Sequence, residues 1–116
     1  MGVTLEVAFR NKQEIIVIDL RGSIKTNEDY DIFKNAIDQA IEKGRPRVLL
    51  NFKDVNFINS SGLGRLILAA KSISDDKGQL KITDLSPDLK ELFVFTRLDS
   101  KIPIYASEDE AISSFQ

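Results

Sequence analysis

The chain has 116 residues with 16 basic and 18 acidic side chains, a formal net charge of -2. It contains no cysteine and no histidine, which excludes disulfides, thiol chemistry, zinc sites built on those residues and any Ser-His-Asp triad. The absence of a basic excess argues against a general nucleic-acid binder, and the length suits one domain, 1–116, with its own core.

Hydrophobic residues make up 42 % and charged residues 29 %, the composition of an ordinary globular domain. The opening residues Met1 to Glu6 lack the basic start and apolar run of a signal peptide, and Glu6 stands where a myristoylation motif wants Ser or Thr. No apolar run approaches the ~20 residues that cross a bilayer. A cytoplasmic protein without direct membrane insertion is expected. On that reading the formal glycosylation acceptor at Asn59-Ser60-Ser61 stays unmodified.

In chain order, Thr4 to Phe9 alternates, with Leu5, Val7 and Phe9 on the face that should be buried. Asn11 to Glu14 reads as a polar turn and Ile15 to Leu20 as a second strand joined to the first by a hairpin, with Gly22 breaking the run. Asn27 or Thr26 can cap a helix whose stripe is Tyr30, Phe33, Ile37, Ala40 and Ile41, ending at Gly44 and Pro46. Val48 to Phe52 is a short buried strand. After the segment Phe57 to Gly64, the residues Leu66, Ile67, Ala70 and Ile73 define a second helix, reaching towards Gly78.

Leu80 to Thr83 is a further strand, and Ser86-Pro87 is a cap followed by a first-turn proline, opening a helix lined by Leu89, Leu92 and Phe93. Ile102 to Tyr105 suits an edge strand because Pro103 cannot donate to a ladder. Ser107-Glu108-Asp109-Glu110 is a capping box ahead of Ala111, Ile112 and Phe115. The order is β-β-α-β-α-β-α-β-α, an α/β fold with a mixed, mostly parallel sheet. Ligands on such sheets gather at the carboxyl ends of strands, which draws attention to Asn59 to Gly64.

That loop places two hydroxyls and two glycines at a helix start, where unpartnered N–H groups favour an anion, a phosphate carried by a serine included. A phosphoserine there would change the charge of the surface offered to a partner. The plainer role is also the commoner one: serine is a preferred N-cap, and Gly62 and Gly64 permit close packing. The loop is no nucleotide cradle, since Arg65 follows Gly64 where a P-loop requires Lys and then Ser or Thr.

The order of elements, with Gly22-Ser23-Ile24, Val55 to Gly64, Leu85-Ser86-Pro87 and Leu92 to Ile104, resembles the STAS domain, specifically the bacterial anti-sigma factor antagonists. Asn59-Ser60-Ser61-Gly62-Leu63-Gly64 is similar to that family's D-S-S-G-L-G signature. The resemblance implies a non-enzymatic module that captures an anti-sigma factor with a kinase fold. It also implies phosphorylation by that kinase on Ser60, with Ser61 less favoured, and reversal by a phosphatase. The implied partner surface comprises Lys25, Thr26, Asn59, Ser60, Ser61, Gly62 and Leu63, with no metal, cofactor or catalytic residue.

Two positions depart from the pattern: Asn59 replaces the leading Asp, and Lys25 replaces the Asp that follows Gly-x-Leu/Ile. Together they make the surroundings of one serine more positive by three formal charges. Carboxylates there could orient the hydroxyl or face a basic partner, whereas Lys25 could pair with a phosphate on Ser60 or remain a solvated loop residue. These replacements add weight to an alternative, a STAS subunit of a lipid-transporter or signalling complex. Thr96-Arg97-Leu98 departs from Thr-Gly-Leu and should affect only a local turn.

Three further features have plain explanations. Lys43-Gly44-Arg45-Pro46-Arg47 suits a helix C-terminus. Asp75-Asp76 and Glu108 to Glu110 suit helix ends better than a metal. Phe93, Phe95 and Tyr105 are expected in the core, although an exposed Phe95 beside Leu63 would enlarge a partner patch. An enzyme reading has only Lys25 to offer as a base for Ser60, and that lysine would need to be desolvated.

Overall fold

The computed structural model describes residues 4–42, 44 and 46–115. Lys43 and Arg45 of the basic segment lie outside the described residues. Five strands form one sheet in the order β1-β2-β3-β4-β5. They are β1 (Glu6–Lys12), β2 (Ile15–Ile24), β3 (Arg47–Ile58), β4 (Gln79–Thr83) and β5 (Ile104–Tyr105). The first pair is antiparallel and the others are parallel. The helices are α1 (Asn27–Ile41), α2 (Ser60–Asp75), α3 (Pro87–Phe95) and α4 (Glu108–Ser114), with a short 3-10 turn at Leu98–Ser100. The order expected from the sequence is therefore the observed one.

Alternation along the strands decides which helix packs on which face. Ile18, Leu20, Val48, Leu50, Phe52 and Ile82 join the core beneath α1, α2 and α3. Ile15, Val17 and Leu49 point the other way and meet Ala111 and Ile112 of α4 and Phe115 at its C-terminal cap. Phe93 packs edge-on against Phe52, with ring centroids 6.0 Å apart. Burying one such aromatic or aliphatic side chain contributes roughly 1.5–3 kcal/mol, so these two interfaces fix the helices on the sheet.

Several boundaries differ from the sequence reading, and pairing explains each. The β1–β2 turn is only Gln13-Glu14, both with positive φ (53° and 65°), so the strands continue through Asn11 and Lys12 to pair with Ile16 and Ile15. This twist suits a two-residue hairpin although neither residue is a glycine. Phe9 was expected inward, but it is 43 % exposed, because the core beneath β1 holds Leu5 and, in part, Val7. Gly22 does not end β2; with φ at 110° it sits between two register shifts that let β2 run on beside β3 to Ile24. As a result β3 extends six residues past Phe52, to Ile58. Phe95, placed in the core by its aromatic character, is 86 % exposed, while Phe93 is buried.

Candidate functional site at the ends of β2 and β3

β4 stops pairing at Thr83, opposite Asn51, whereas β2 and β3 remain paired out to Ile24 and Ile58. This overhang carries two turns to one place. The turn after β2 enters α1 through Thr26, whose hydroxyl accepts from Asp29 N–H. The turn after β3 enters α2 through Asn59, whose Oδ1 accepts from Gly62 N–H at 2.8 Å. Two helix N-termini, each carrying partial positive charge, therefore start from adjacent strand ends.

Asn59 ties these starts together. Its backbone N–H donates to Ile24 O at 3.2 Å, and its Nδ2 donates to Lys25 O at 3.1 Å. Its Oδ1 also accepts from the Tyr30 hydroxyl at 2.9 Å. The Tyr30 ring lies beneath the Arg65 guanidinium, 4.9 Å from its centroid, so α1 and α2 are linked a second time. An aspartate here could accept from Gly62 and Tyr30 but could not donate to Lys25 O. Asn59 thus combines an acceptor that caps α2 with a donor that clasps the neighbouring turn.

The capping role that the sequence assigned to a serine belongs to Asn59. Ser60 and Ser61 are the first two helical residues, both exposed, with their hydroxyls outside the cap. Lys25 and Thr26 are also exposed, and so is Phe57 two residues before the cap, at 49 %. Gly62 and Leu63, expected on the partner surface, are buried. A Cβ on Gly62 would stand 2.6 Å from Ile58 Cγ1 and 2.8 Å from Ile24 O, and Leu63 belongs to the core. Exposed Lys25 lacks the burial that a Ser-Lys pair would require.

Beneath the site, Asp29 is buried and accepts from three backbone N–H groups: Leu5 at 2.9 Å, Lys25 at 3.1 Å and Thr26 at 3.1 Å. Burial opposes its charge, but these hydrogen bonds outweigh it and hold the carboxyl below its ordinary pKa. The same side chain completes a capping box with Thr26. Tyr30 and Asp29 were legible as a core residue and a helix-start acid; their site roles depend on partners 29 and 24 residues away.

A second polar cluster lies elsewhere. A cleft of about 610 Å³ is lined by Arg10, Asp19, Asn51, Lys53, Asp84 and Glu108, among others, and contains none of the expected site residues. The Arg10 guanidinium reaches Asp19 at 2.7 Å and Glu108 at 2.6 Å, while Lys12 and Asn51 also donate to Glu108. Hydrogen bonds from Arg10 above all, then from Asn51 and Lys12, outweigh burial and pull the Glu108 carboxyl down to about 2. In return the two carboxylates raise the Arg10 pKa. These charges are largely spent on one another, and they join β1, β2, β3 and α4.

Residues 6–111 match the STAS domain, and the chain belongs to the STAS domain family. It is 24 % identical over 115 residues to the anti-sigma F factor antagonist of Paenibacillus polymyxa, covering 98 % of this chain and 97 % of that protein. It is 26 % identical over 110 residues to the anti-sigma-B factor antagonist of Bacillus subtilis strain 168, with 95 % and 99 % covered. Among solved structures, an anti-sigma factor antagonist from Mycobacterium paratuberculosis superimposes with a TM-score of 0.86 at 18 % identity, covering 99 % of this chain and 98 % of that one. The Bacillus cell fate determinant SpoIIAA in its phosphorylated form gives 0.71 at 24 % identity, with 96 % and 100 % covered. These curated relatives are anti-sigma factor antagonists by name, and the structural matches establish the shared fold. No helix among the described residues is long and apolar enough to cross a membrane.

Proposed function

We propose that this chain is a regulatory binding module that captures an anti-sigma factor through Lys25, Thr26, Phe57, Ser60 and Ser61. In this reading the captured protein has a kinase fold and transfers the γ-phosphoryl group of ATP to the Ser60 oxygen, releasing ADP and the hydroxyl proton. A phosphatase removes the group. The carrying observation is that Ser60 is exposed at the first position of α2 and is free of the capping duty, which Asn59 performs. The names of the curated relatives and the phosphorylated SpoIIAA structure support the same reading.

Phosphate at this position meets the N–H groups of the first turn of α2, a favourable setting for an anion. The fold therefore tolerates the modification while the partner meets about two added negative charges. Lys25 lies on the neighbouring turn, its carbonyl bonded to Asn59, and its ammonium offsets part of that charge. Phe57 supplies the exposed aromatic anchor that protein interfaces favour.

The test is capture from the native host's lysate with tagged protein, identification of the bound proteins by mass spectrometry, and incubation of the purified partner with ATP and magnesium. An ATP-binding anti-sigma factor that phosphorylates the parent chain on Ser60, but leaves Ser60→Ala unmodified, supports the proposal. Recovery of transporter subunits or a sensory assembly instead would transfer the function to a STAS subunit of such a complex.

A further inference from the structure

The outer edge of β1 carries an unusual combination of features. Among the described residues β1 pairs only with β2, leaving one side of a seven-residue strand unpaired at the sheet's edge. Edge strands are commonly protected by proline, by a bulge or by charges projecting into the approach path. Glu6 to Lys12 contains no proline, and its seven pairs with β2 run without a register shift. Arg10 does not project outward but folds over the sheet onto Asp19 and Glu108. Phe9, at the centre of the strand, is 43 % exposed beside a cavity of about 160 Å³ lined by Phe9, Asn11, Ile16, Gln39 and Ala40.

The sequence of this edge is self-complementary. An antiparallel pair of identical strands with its two-fold axis at Phe9 sets Glu6 opposite Lys12 twice, Val7 opposite Asn11 twice, and Phe9 opposite itself. Opposite charges and aromatic pairs facing each other across strands are both stabilising. Centring on Arg10 instead would bring two guanidinium groups together, and centring on Ala8 would leave Lys12 with no acid opposite it. About Phe9, Lys12 shares its charge between Glu6 of the second copy and its own Glu108 at 3.3 Å, and the exposed Glu6 is only loosely held by Arg21 at 4.0 Å. The strand therefore favours one register, and that register uses all seven residues.

We propose that β1 is a homodimerisation edge, occupied by β1 of a second copy in antiparallel register about Phe9, so that two five-stranded sheets become continuous. Glu6 begins β1 one residue after Leu5, which is held by Asp29 beneath the Ser60 turn. Across an antiparallel two-fold the two Ser60 turns consequently lie at opposite ends of the joined sheet. Both stay open, and the dimer is bivalent. One strand pair is a small contact, so association is reversible and concentration-dependent.

Sedimentation velocity on the full chain from micromolar to millimolar concentration tests this. The parent chain is expected to dimerise by mass action. Glu6→Lys and Lys12→Glu, each placing like charges opposite one another twice, are expected to raise the dissociation constant about tenfold or more. An equimolar mixture of these two variants should re-form a dimer, because Lys at position 6 of the first then faces Glu at position 12 of the second, while the unaltered Lys12 of the first faces the unaltered Glu6 of the second. Phe9→Asp, at an exposed position, should also abolish dimerisation while leaving the circular dichroism spectrum unchanged. A parent chain monomeric throughout the range would overturn the proposal, as would a dimer insensitive to Glu6→Lys and Phe9→Asp, or a mixture that remains monomeric.

Discussion

Replacing Asn59 with alanine removes three side-chain hydrogen bonds at once, to Gly62, Tyr30 and Lys25, and their cost can be worked bond by bond. The N-cap to Gly62 is worth about 1 kcal/mol. The Tyr30 hydroxyl, on a residue only 6 % exposed, loses its acceptor, and Lys25 O and Gly62 N–H lose their side-chain partners. Leaving a buried polar group unpaired costs about 1–3 kcal/mol, less where water reaches it, as at the exposed Lys25 turn. The expected total is about 2–4 kcal/mol, a large share of a small domain's stability. Asn59→Asp keeps the acceptor for Gly62 and Tyr30, gains from the α2 dipole and loses only the donor to Lys25 O, so it should stay within about 1 kcal/mol of the parent at neutral pH. Urea unfolding monitored by circular dichroism measures both, with the midpoint and slope fitted separately. Tyr30→Phe in the parent and in Asn59→Ala completes a double-mutant cycle, in which Tyr30 should matter only while Asn59 is present. An Asn59→Ala cost below about 0.5 kcal/mol, within the range of ordinary surface substitutions, would refute the view that this side chain clasps the two turns.

Other consequences concern single positions. Arg97 holds φ 62° and ψ 22° where the family resemblance leads one to expect glycine, so Arg97→Gly should stabilise the protein by about 1 kcal/mol in the same assay; an unchanged midpoint would remove backbone strain from the explanation. Gly62→Ala should cost about 1–3 kcal/mol through contact with Ile58 and the Ile24 carbonyl, whereas Gly64→Ala, with open space around its Cβ, should gain about 0.5–1 kcal/mol of helix stability; equal effects would contradict the packing described. The lowered Glu108 pKa contributes stability that is full above its ordinary value of 4.5 and is lost as pH falls towards about 2. Because Arg10 is partly exposed, this loss should be about 1–2 kcal/mol rather than that of a fully buried pair. Glu108→Gln should flatten that acid limb, and an unchanged limb would exclude the Arg10 network as its source.

The contrast between local and distant determinants explains how much was legible in the sequence. The caps at Thr26, Ser86 and Ser107 and the Pro87 start are local patterns found as read, although Glu110 accepts from the Ser107 hydroxyl and does not close the expected capping box. The stripe of α2 is offset from the expected one: Leu63, Leu66, Ala69 and Ile73 are buried, whereas Ile67 is 42 % exposed. The ends of β1, β2 and β3 are set by pairing, which a single strand's sequence does not display. At Asn59-Ser60-Ser61 three cap-competent residues stand in a row; pairing of Ile58 with Ile24 ends β3 just before Asn59 and selects it. The Arg10–Glu108 contact joins positions 98 residues apart and had no local signal. Aromatic character alone suggested burial for Phe95, yet α3 turns its Leu89 and Phe93 face to the core and leaves Phe95 in solvent.

The central claim, that Ser60 is the point where charge controls a protein contact, is tested most directly by measuring partner affinity and fold stability on the same variant. Ser60→Asp places a carboxylate at the first position of α2, where the helix dipole favours it by about 0.3–1 kcal/mol. Titration calorimetry with the purified anti-sigma factor should nevertheless show binding weakened about tenfold or more, equivalent to about 1.4 kcal/mol. Ser113→Asp, an exposed position on α4, should leave affinity unchanged. A Ser60→Asp chain that is stably folded and binds as tightly as the parent would contradict the account.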